Sequence, residues 1–97
     1  MRDEISELLK QREERYGKYS DVAEMTQSLM SIIESGASYE RVPDTHKTVF
    51  FMIANKIARA VNGDPMYDDN YRDIAGYATL AERACEVVES SKLGGTA

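Results

Sequence analysis

The fold is decided by residues 55–80, NKIARAVNGDPMYDDNYRDIAGYATL, which join two helical patterns through a short turn. Gly63, Asp64 and Pro65 form that turn, because glycine and proline end helices and aspartate favours tight turns. A short connection places consecutive helices antiparallel and in contact. The stretch therefore predicts a helical hairpin whose charged side chains can meet at one cleft.

The remaining sequence extends this hairpin into an all-α, antiparallel four-helix bundle. Apolar residues recur at steps of three and four, which predicts helices at about 3–15, 21–35, 45–62 and 69–89. We interpret 1–97 as a single domain that ends in a frayed tail over residues 90–97. Gly17 can adopt a positive φ and stop the first helix, and Ser20 is the candidate N-cap of the second.

The predicted helices differ in how much apolar surface they carry. The third is apolar around most of its circumference between residues 49 and 61, which is typical of a central helix. The first carries only a narrow stripe of Ile5, Leu8 and Leu9 and should be the least buried. We expect helices two to four to associate through their apolar faces as a homo-oligomer, most simply a dimer, and the number of subunits stays open between a dimer and a higher oligomer.

Composition and charge exclude several classes of protein. The 97 residues carry a net charge of −5, and no run of Lys and Arg forms a stripe, so nucleic acid is not an expected partner. No apolar run reaches the roughly 18 residues that a membrane span needs, and the N-terminus is too charged for a signal peptide. With a single cysteine, an internal disulfide is impossible. We predict a soluble, cytoplasmic protein that does not bind membranes.

The residue types of nucleophilic and zinc catalysis do not occur in useful patterns. The sequence lacks a Gly-x-Ser-x-Gly motif and a glycine-rich phosphate loop. Cys85 lies in an apolar helical pattern and is interpreted as a small core residue. His46 is interpreted as a surface residue, because no cysteine or second histidine accompanies it in the sequence. No catalytic residue is assigned.

The polar residues of the hairpin predict a site for a phosphate-bearing ligand. A charged group on a largely buried helix needs a partner or a ligand. Lys56 and Arg59 lie three residues apart, which places them on one helical face. Tyrosine side chains could stack on a base. The candidate ligand-binding residues are Lys56, Arg59, Asn55, Asn62, Asp73, Tyr77, Tyr16 and Tyr19.

The same residues also have purely structural interpretations, which stay open at this point. Lys56 and Arg59 could form ion pairs with Asp73 and Asp69 across the hairpin. Asp69 could cap the fourth helix and interact with its dipole. Gly76, which costs stability inside a helix, is explained by a close approach of a neighbouring helix.

Several of these motifs together resemble a known kind of protein. They are Tyr16-Gly17-x-Tyr19, Lys56-Ile57-Ala58-Arg59, Asn62-Gly63-Asp64-Pro65 and the block 69–78, DNYRDIAGYA. This layout resembles a family of small phage and prophage proteins over roughly Arg12 to Leu80. It is more distantly similar to the all-α, MazG-like nucleoside triphosphate pyrophosphohydrolases.

The second resemblance implies an oligomeric four-helix unit whose acidic pairs hold magnesium against a nucleoside triphosphate. The segment Asn70-x-x-Asp73, followed by Tyr77, resembles the second acidic pair of that group. Asn70 stands where an acid is expected, and the first pair, Glu-x-x-Glu, has no counterpart here. Magnesium binding usually needs several converging carboxylates. The resemblance therefore favours binding over catalysis.

Three functions follow as hypotheses. The first is a phage-encoded protein that binds a nucleotide or nucleotide-derived signalling molecule without turnover and without a cofactor. It would act in the cytoplasm of the bacterial host cell and sequester the molecule to counter host defence. The alternative is a magnesium-dependent pyrophosphohydrolase, with Asp69 and Asp73 as metal ligands and Lys56 and Arg59 on the phosphates. The third is an inhibitor that acts by direct contact with a host protein.

Overall fold

The protein is all-helical throughout the part that the structure describes. The computed structural model describes the backbone of residues 2–96 and the side chains of residues 3–87. Over that backbone range there is no strand, and the four α-helices are α1 (Arg2–Tyr16), α2 (Tyr19–Glu34), α3 (Asp44–Asn62) and α4 (Asp68–Thr96). A short 3-10 helix, Tyr39–Arg41, lies between α2 and α3. The predicted all-α fold of four packed helices is thereby confirmed.

The helix boundaries follow the predictions closely except at the last one. α2 begins at Tyr19, and its N-cap is Lys18 in an extended conformation, so the prediction of Ser20 as the cap was wrong. α3 begins at Asp44 after Pro43, whose fixed φ suits the residue before a helix. α4 continues to Thr96 instead of ending at 89, so residues predicted as a tail are helical up to that point. Ala97 lies outside the described residues.

α3 is the centre of the bundle, as predicted. It packs against α2 on one side and α4 on another, while α1 lies across α2 and α3. Small residues of α3 allow the neighbouring helices to approach closely. Among the described side chains, the buried apolar ones are Val22 and Met30 of α2 and Val49, Ala54, Ala58 and Ala60 of α3. The three apolar residues of α1, Ile5, Leu8 and Leu9, remain more than half exposed.

The turn after α1 and the turn after α3 touch each other, backbone against backbone. Gly17 has a φ of 86°, and a Cβ placed on it would lie 2.5 Å from Cβ of Asn62. A Cβ on Gly63 would lie 2.6 Å from the backbone nitrogen of Gly17. The N–H of Asp64 donates to the carbonyl of Arg15 over 2.9 Å. This contact, the turn junction, fixes the end of α1 against the α3–α4 hairpin.

α4 is the longest helix, with 29 residues. Gly76 lies in its middle, and among the described residues no atom of a neighbouring helix lies within 4 Å of the position that a Cβ would take there. The prediction that Gly76 marks a close helix approach was therefore wrong. Within the described part of the chain, none of the helices combines the length and the apolarity that crossing a bilayer requires.

The molecule is elongated and leaves much apolar surface uncovered. Its radius of gyration is 17.4 Å, whereas a compact domain of this length has about 12.5 Å. Large apolar side chains are exposed on α2, α3 and α4, among them Ile32, Ile57, Val61, Leu80 and Val87.

Candidate functional site

Lys56 and Arg59 leave α3 toward different neighbours, so the predicted shared basic face was wrong. Nζ of Lys56 lies 3.0 Å from Oδ2 of Asp73 on α4, and the lysine side chain is only 11% exposed. The guanidinium of Arg59 lies over the ring of Tyr16 on α1, 4.8 Å from its centroid. Three residues on an α-helix correspond to a rotation of about 300°, so the two side chains point about 60° apart. Lys56 therefore contacts α4, while Arg59 contacts α1.

Of the two ion pairs predicted across the hairpin, one is confirmed and one was wrong. Lys56 pairs with Asp73. Asp69 does not pair with Arg59, because Nη1 of Arg72 lies 3.1 Å from its carboxylate and the hydroxyl of Tyr67 donates to it over 2.8 Å.

A cleft of about 490 Å³ lies where α1, α2 and α3 meet. Its polar lining includes four of the predicted ligand-binding residues, Asn55, Arg59, Tyr16 and Tyr19. Arg12 and Glu13 of α1 complete that lining, and Leu8, Leu9 and Val22 form an apolar wall. The cleft thus combines two cations, one carboxylate, two phenol rings and one amide with an apolar surface.

Arg12 is a cleft residue that sequence reasoning missed. Its guanidinium lies 5.7 Å from the centroid of the Tyr16 ring, so that ring contacts two arginines. The available signal was the spacing, since Arg12 precedes Tyr16 by one helical turn and must share its face of α1. A cation over an aromatic ring is attracted to the negative face of that ring.

Both arginines of the cleft keep donors available for a ligand. Among the described side chains, neither Arg12 nor Arg59 has a carboxylate within the 4.0 Å of a salt bridge. A guanidinium has five N–H donors, and stacking on a ring leaves those at its edge available. An anion entering the cleft could accept hydrogen bonds from them directly.

Tyr67, the residue before α4, packs against Tyr16 of the cleft. Its ring packs edge-on against Tyr16, with centroids 5.7 Å apart, and the guanidinium of Arg15 lies 5.4 Å from its own centroid. The hydrogen bond that the hydroxyl donates to Asp69 raises the pKa of Tyr67 from 10.0 to about 12, with smaller contributions from burial and from Tyr16. The phenol therefore stays protonated and keeps this contact at any physiological pH.

The other four predicted ligand-binding residues lie outside the cleft. Lys56 and Asp73 are paired at the α3–α4 interface. Asn62 donates to the carbonyl of Ala58 over 2.8 Å and borders a separate depression with Asp21 and Glu24. Tyr77 is half-buried on α4, one turn beyond Asp73.

The two carboxylates predicted as magnesium ligands are each held by a cation. Asp69 lies in the first turn of α4, where its charge suits the helix dipole, but α4 begins at Asp68, so the prediction that Asp69 caps the helix was wrong. Its carboxylate is paired with Arg72. Asp73 is paired with Lys56. Within the described residues, no three Asp, Glu, His or Cys side chains are grouped closely enough to hold a metal ion.

Asn70, which the MazG-like resemblance aligns with an acid, is one of the most buried side chains of the protein. It is 1% exposed, and neither Oδ1 nor Nδ2 has a hydrogen-bond partner among the described residues. A buried amide without partners destabilises the fold by about 1–3 kcal/mol. Nothing in the sequence distinguishes this asparagine from the exposed polar residues beside it.

The predictions for Cys85 and His46 were both wrong. Cys85 is exposed, and its Sγ lies 3.5 Å from Nε2 of the part-buried His46. The physical reason is topological. α3 begins at Asp44 and runs antiparallel to α4, so the first turn of α3 lies opposite Cys85. No further turn of α3 precedes Asp44 that could cover the thiol.

The sequence also matches a protein family. The family model described as "Domain of unknown function (DUF6378)" matches residues 3–85. The chain belongs to the DUF6378 family. The residues of the cleft, as well as His46 and Cys85, lie within the matched segment. Neither the curated proteins nor the solved structures contain a match to the chain.

Proposed function

We propose that this protein binds a nucleotide-type anion in the cleft between α1, α2 and α3, without chemical turnover. The observation that carries the proposal is the state of Arg59. It is stacked on Tyr16, lines the cleft with Arg12, and has no carboxylate partner among the described side chains. A cation in that position favours an incoming phosphate.

The rest of the cleft suits the organic part of such a ligand. Its volume of about 490 Å³ lies inside the range of about 300–1,000 Å³ that is usual for small-molecule sites. Tyr16 and Tyr19 offer ring faces for a base, and Asn55 offers an amide that can both donate and accept. An inorganic anion would use only the arginines, whereas a nucleotide uses all of these groups.

Binding without turnover is supported by the positions of Asp69 and Asp73. The two aspartates that could serve magnesium lie on α4 and are paired with Lys56 and Arg72, outside the cleft. A protein that captures a nucleotide in this way lowers its free concentration. This is the role that the phage resemblance predicts, and we include sequestration in the proposal.

The test is a panel of ligands measured by thermal shift and calorimetry. Nucleotides should raise Tm, while the corresponding nucleosides and inorganic phosphate should do so far less. Arg59→Gln should weaken nucleotide binding about tenfold or more, because a hydrogen bond to a charged group contributes about 1.5–3 kcal/mol. Arg83→Gln is the matched control, since Arg83 is exposed on α4 away from the cleft.

Three outcomes would overturn the proposal. Equal losses in the Arg59 and Arg83 variants would show that only net charge matters. Release of pyrophosphate or phosphate from a nucleoside triphosphate with magnesium would replace capture by the hydrolase alternative. A protein that no nucleotide stabilises would leave the direct-contact inhibitor as the remaining hypothesis.

We also propose that the protein is a homodimer, formed through an apolar groove of α2 and α3. The groove has a volume of about 340 Å³ and is lined by Leu29, Ile33, Phe50, Ile53, Ala54 and Ile57. The chain has 7416 Å² of accessible surface, whereas a compact monomer of its mass has about 5,600 Å². The excess is larger than the roughly 800 Å² per partner that a stable interface buries.

This groove and the nucleotide cleft use different sides of α3. Ile53 and Ile57 each lie two residues from Asn55 in sequence. Two residues correspond to a rotation of about 200°, so both isoleucines lie nearly opposite Asn55 on the helix. A dimer would therefore leave the cleft open. Sedimentation should show a dimer for the wild type and a monomer for Ile57→Glu, while Val87→Glu, an exposed site outside the groove, should stay dimeric. A monomeric wild-type protein would refute this part of the proposal.

A further inference from the structure

Asn55 keeps a hydrogen-bond acceptor free at the cleft between α1, α2 and α3, because a buried threonine fixes the orientation of its amide. The hydroxyl of Thr26, which is 2% exposed, donates to the carbonyl of Val22 over 2.7 Å. A hydroxyl has one hydrogen, so toward Asn55 the Thr26 oxygen can only accept. The atom of Asn55 that lies 3.4 Å from it is therefore Nδ2. Oδ1 has no hydrogen-bond partner among the described residues and is not a buried atom, so a ligand in the cleft can reach it.

Glu13 brings a second set of acceptors into the same cleft. Its carboxylate belongs to the lining and, among the described side chains, forms no salt bridge, although Arg12 lines the cleft beside it. An ionised carboxylate only accepts hydrogen bonds, and it offers two oxygens side by side. A carboxylate repels a phosphate. A ligand that occupies this cleft must therefore also carry donors that Glu13 can accept.

Glu13 and Asn55 lie at the same level of the cleft, one helical turn from the stacked arginine. α1 and α3 both end at the turn junction, and close to it Tyr16 contacts Arg59. Glu13 precedes Tyr16 by three residues, and Asn55 precedes Arg59 by four. Each acceptor therefore lies about 5 Å further from the junction than the contact between ring and guanidinium. The cleft has a cationic end at the junction and an end made of acceptors beyond it.

We propose that the ligand of this cleft is a guanine nucleotide. Among the four bases of RNA, guanine carries two neighbouring donors on one edge, the ring N1–H and the 2-amino group, and a carboxylate can accept from both at once. The second N–H of the 2-amino group is then available to Oδ1 of Asn55. Adenine has an acceptor at the same ring position, which the Glu13 carboxylate repels. The inference rests on the proposed nucleotide binding and names the base.

The aromatic residues of the cleft suit the purine ring of such a ligand. The ring of Tyr16 already contacts the guanidinium groups of Arg12 and Arg59. Tyr19 is 83% exposed and, among the described residues, forms no ring–ring or cation–ring contact. Its ring is therefore available to stack on the base, while the two arginines bind the phosphate.

The preference for guanine is tested by calorimetry with GMP, IMP and AMP. The three nucleotides share ribose and phosphate, but IMP lacks the 2-amino group, and AMP lacks that group as well as the ring N1–H. GMP should bind about tenfold more tightly than IMP, and AMP should bind least tightly, because each step removes a hydrogen bond to an ionised group.

The role of Glu13 is tested by Glu13→Gln, with Glu14→Gln as the matched control. Glu14 is exposed on α1 and does not belong to the cleft lining. Removing a negative charge favours every phosphate, so AMP should bind to Glu13→Gln at least as tightly as to the wild type. GMP should bind about tenfold more weakly. Glu14→Gln should leave the ratio of the two affinities unchanged.

The role of Asn55 is tested by the ratio of the GMP and IMP affinities. Asn55→Ala should lower this ratio several-fold, because only the 2-amino group of GMP can donate to Oδ1. Circular dichroism of each variant confirms that it is folded.

Three results would overturn the inference. Equal binding of GMP and AMP to the wild type would refute the choice of guanine, while the proposed nucleotide binding would stand. Equal changes of both affinities in Glu13→Gln would show that Glu13 acts only through its charge. If none of the three nucleotides binds, the proposed function and the inference both fail.

Discussion

Two regions of this molecule each contain a cationic side chain of α3, but only one of the two cations has a carboxylate partner among the described side chains. At the α3–α4 interface, Lys56 meets Asp73 at 3.0 Å and is neutralised. At the cleft, Arg59 meets the ring of Tyr16 and keeps its hydrogen-bond donors. The comparison teaches that the neighbouring helix decides whether a cation becomes structural or available to a ligand. Spacing along α3 alone does not decide it.

We expect the largest effect from a substitution that detaches α1, because α1 carries Tyr16 and one wall of the cleft. Gly17→Ala forces an L side chain into a positive φ and drives its Cβ against Asn62. We expect the free energy of unfolding to fall by about 3 kcal/mol. Nucleotide stabilisation should disappear in the same variant. Denaturant unfolding and thermal shift measure the two effects.

The matched control is Gly76→Ala on α4. Among the described residues, a Cβ there meets no atom of a neighbouring helix, and alanine is favoured over glycine inside a helix. This variant should gain about 1 kcal/mol and keep its ligand binding. If both glycine variants lost similar stability, the turn junction would not be the special feature of this fold.

Removing the paired cation tests the other half of the comparison. Lys56→Ala should lower the free energy of unfolding by about 2 kcal/mol, since it removes a buried stem and one partner of an ion pair. Asp73 is 48% exposed, so its carboxylate can be solvated by water once it is left alone. Affinity for the nucleotide should not change, because Lys56 lies outside the cleft.

Arg72→Ala is the control for that variant. Arg72 pairs with Asp68 and Asp69, but its side chain is 71% exposed, and exposed pairs contribute less than about 1 kcal/mol. A smaller loss for Lys56→Ala than for Arg72→Ala would contradict the structural role given to Lys56.

The third prediction concerns the contribution of the Asn70 amide to the free energy of unfolding. Asn70→Leu should raise the free energy of unfolding by about 1 kcal/mol, because the amide is buried without partners among the described residues and leucine has a similar shape. Asn62→Leu should instead lower it by about 1 kcal/mol, since that amide donates to Ala58. Loss of stability in both variants would mean that Asn70 has a partner such as a bound water.

The smallest effect concerns the phenol that packs against Tyr16 of the cleft. The pKa of Tyr67 is raised from 10.0 to about 12, first of all by its hydrogen bond to Asp69. The stability that this bond provides is therefore complete below pH 10.0 and is lost as the pH rises through about 12. Phenolate absorbance of the wild type minus that of Tyr67→Phe should titrate near the higher value. A difference curve centred near the ordinary value would contradict the contact.

The helices were predictable because their signals are local. Gly17 stops α1 with a positive φ, and the apolar circumference of residues 49–61 marks α3 as the central helix. Such features depend on propensity and on periodicity within one segment. These signals can be read without knowing how the neighbouring segments pack.

The site was predictable only in part, because it depends on which helices meet. Four of the eight predicted ligand-binding residues, Tyr16, Tyr19, Asn55 and Arg59, line one cleft, whereas Lys56 lies at the α3–α4 interface, and ligand binding by the four stays a prediction. The burial of Asn70 and the exposure of Cys85 are likewise set by the overlap of α3 with α4. No pattern within a single helix encodes that overlap.

The turn junction has a consequence for engineering the chain. Gly17 and Gly63 hold two of the three interhelical connections together at one end of the bundle, so neither connection can be lengthened alone. The third connection, between Glu34 and Asp44, lies at the opposite end, and Ala37 and Ser38 within it are exposed. A reporter peptide inserted between those two residues should leave the cleft between α1, α2 and α3 intact.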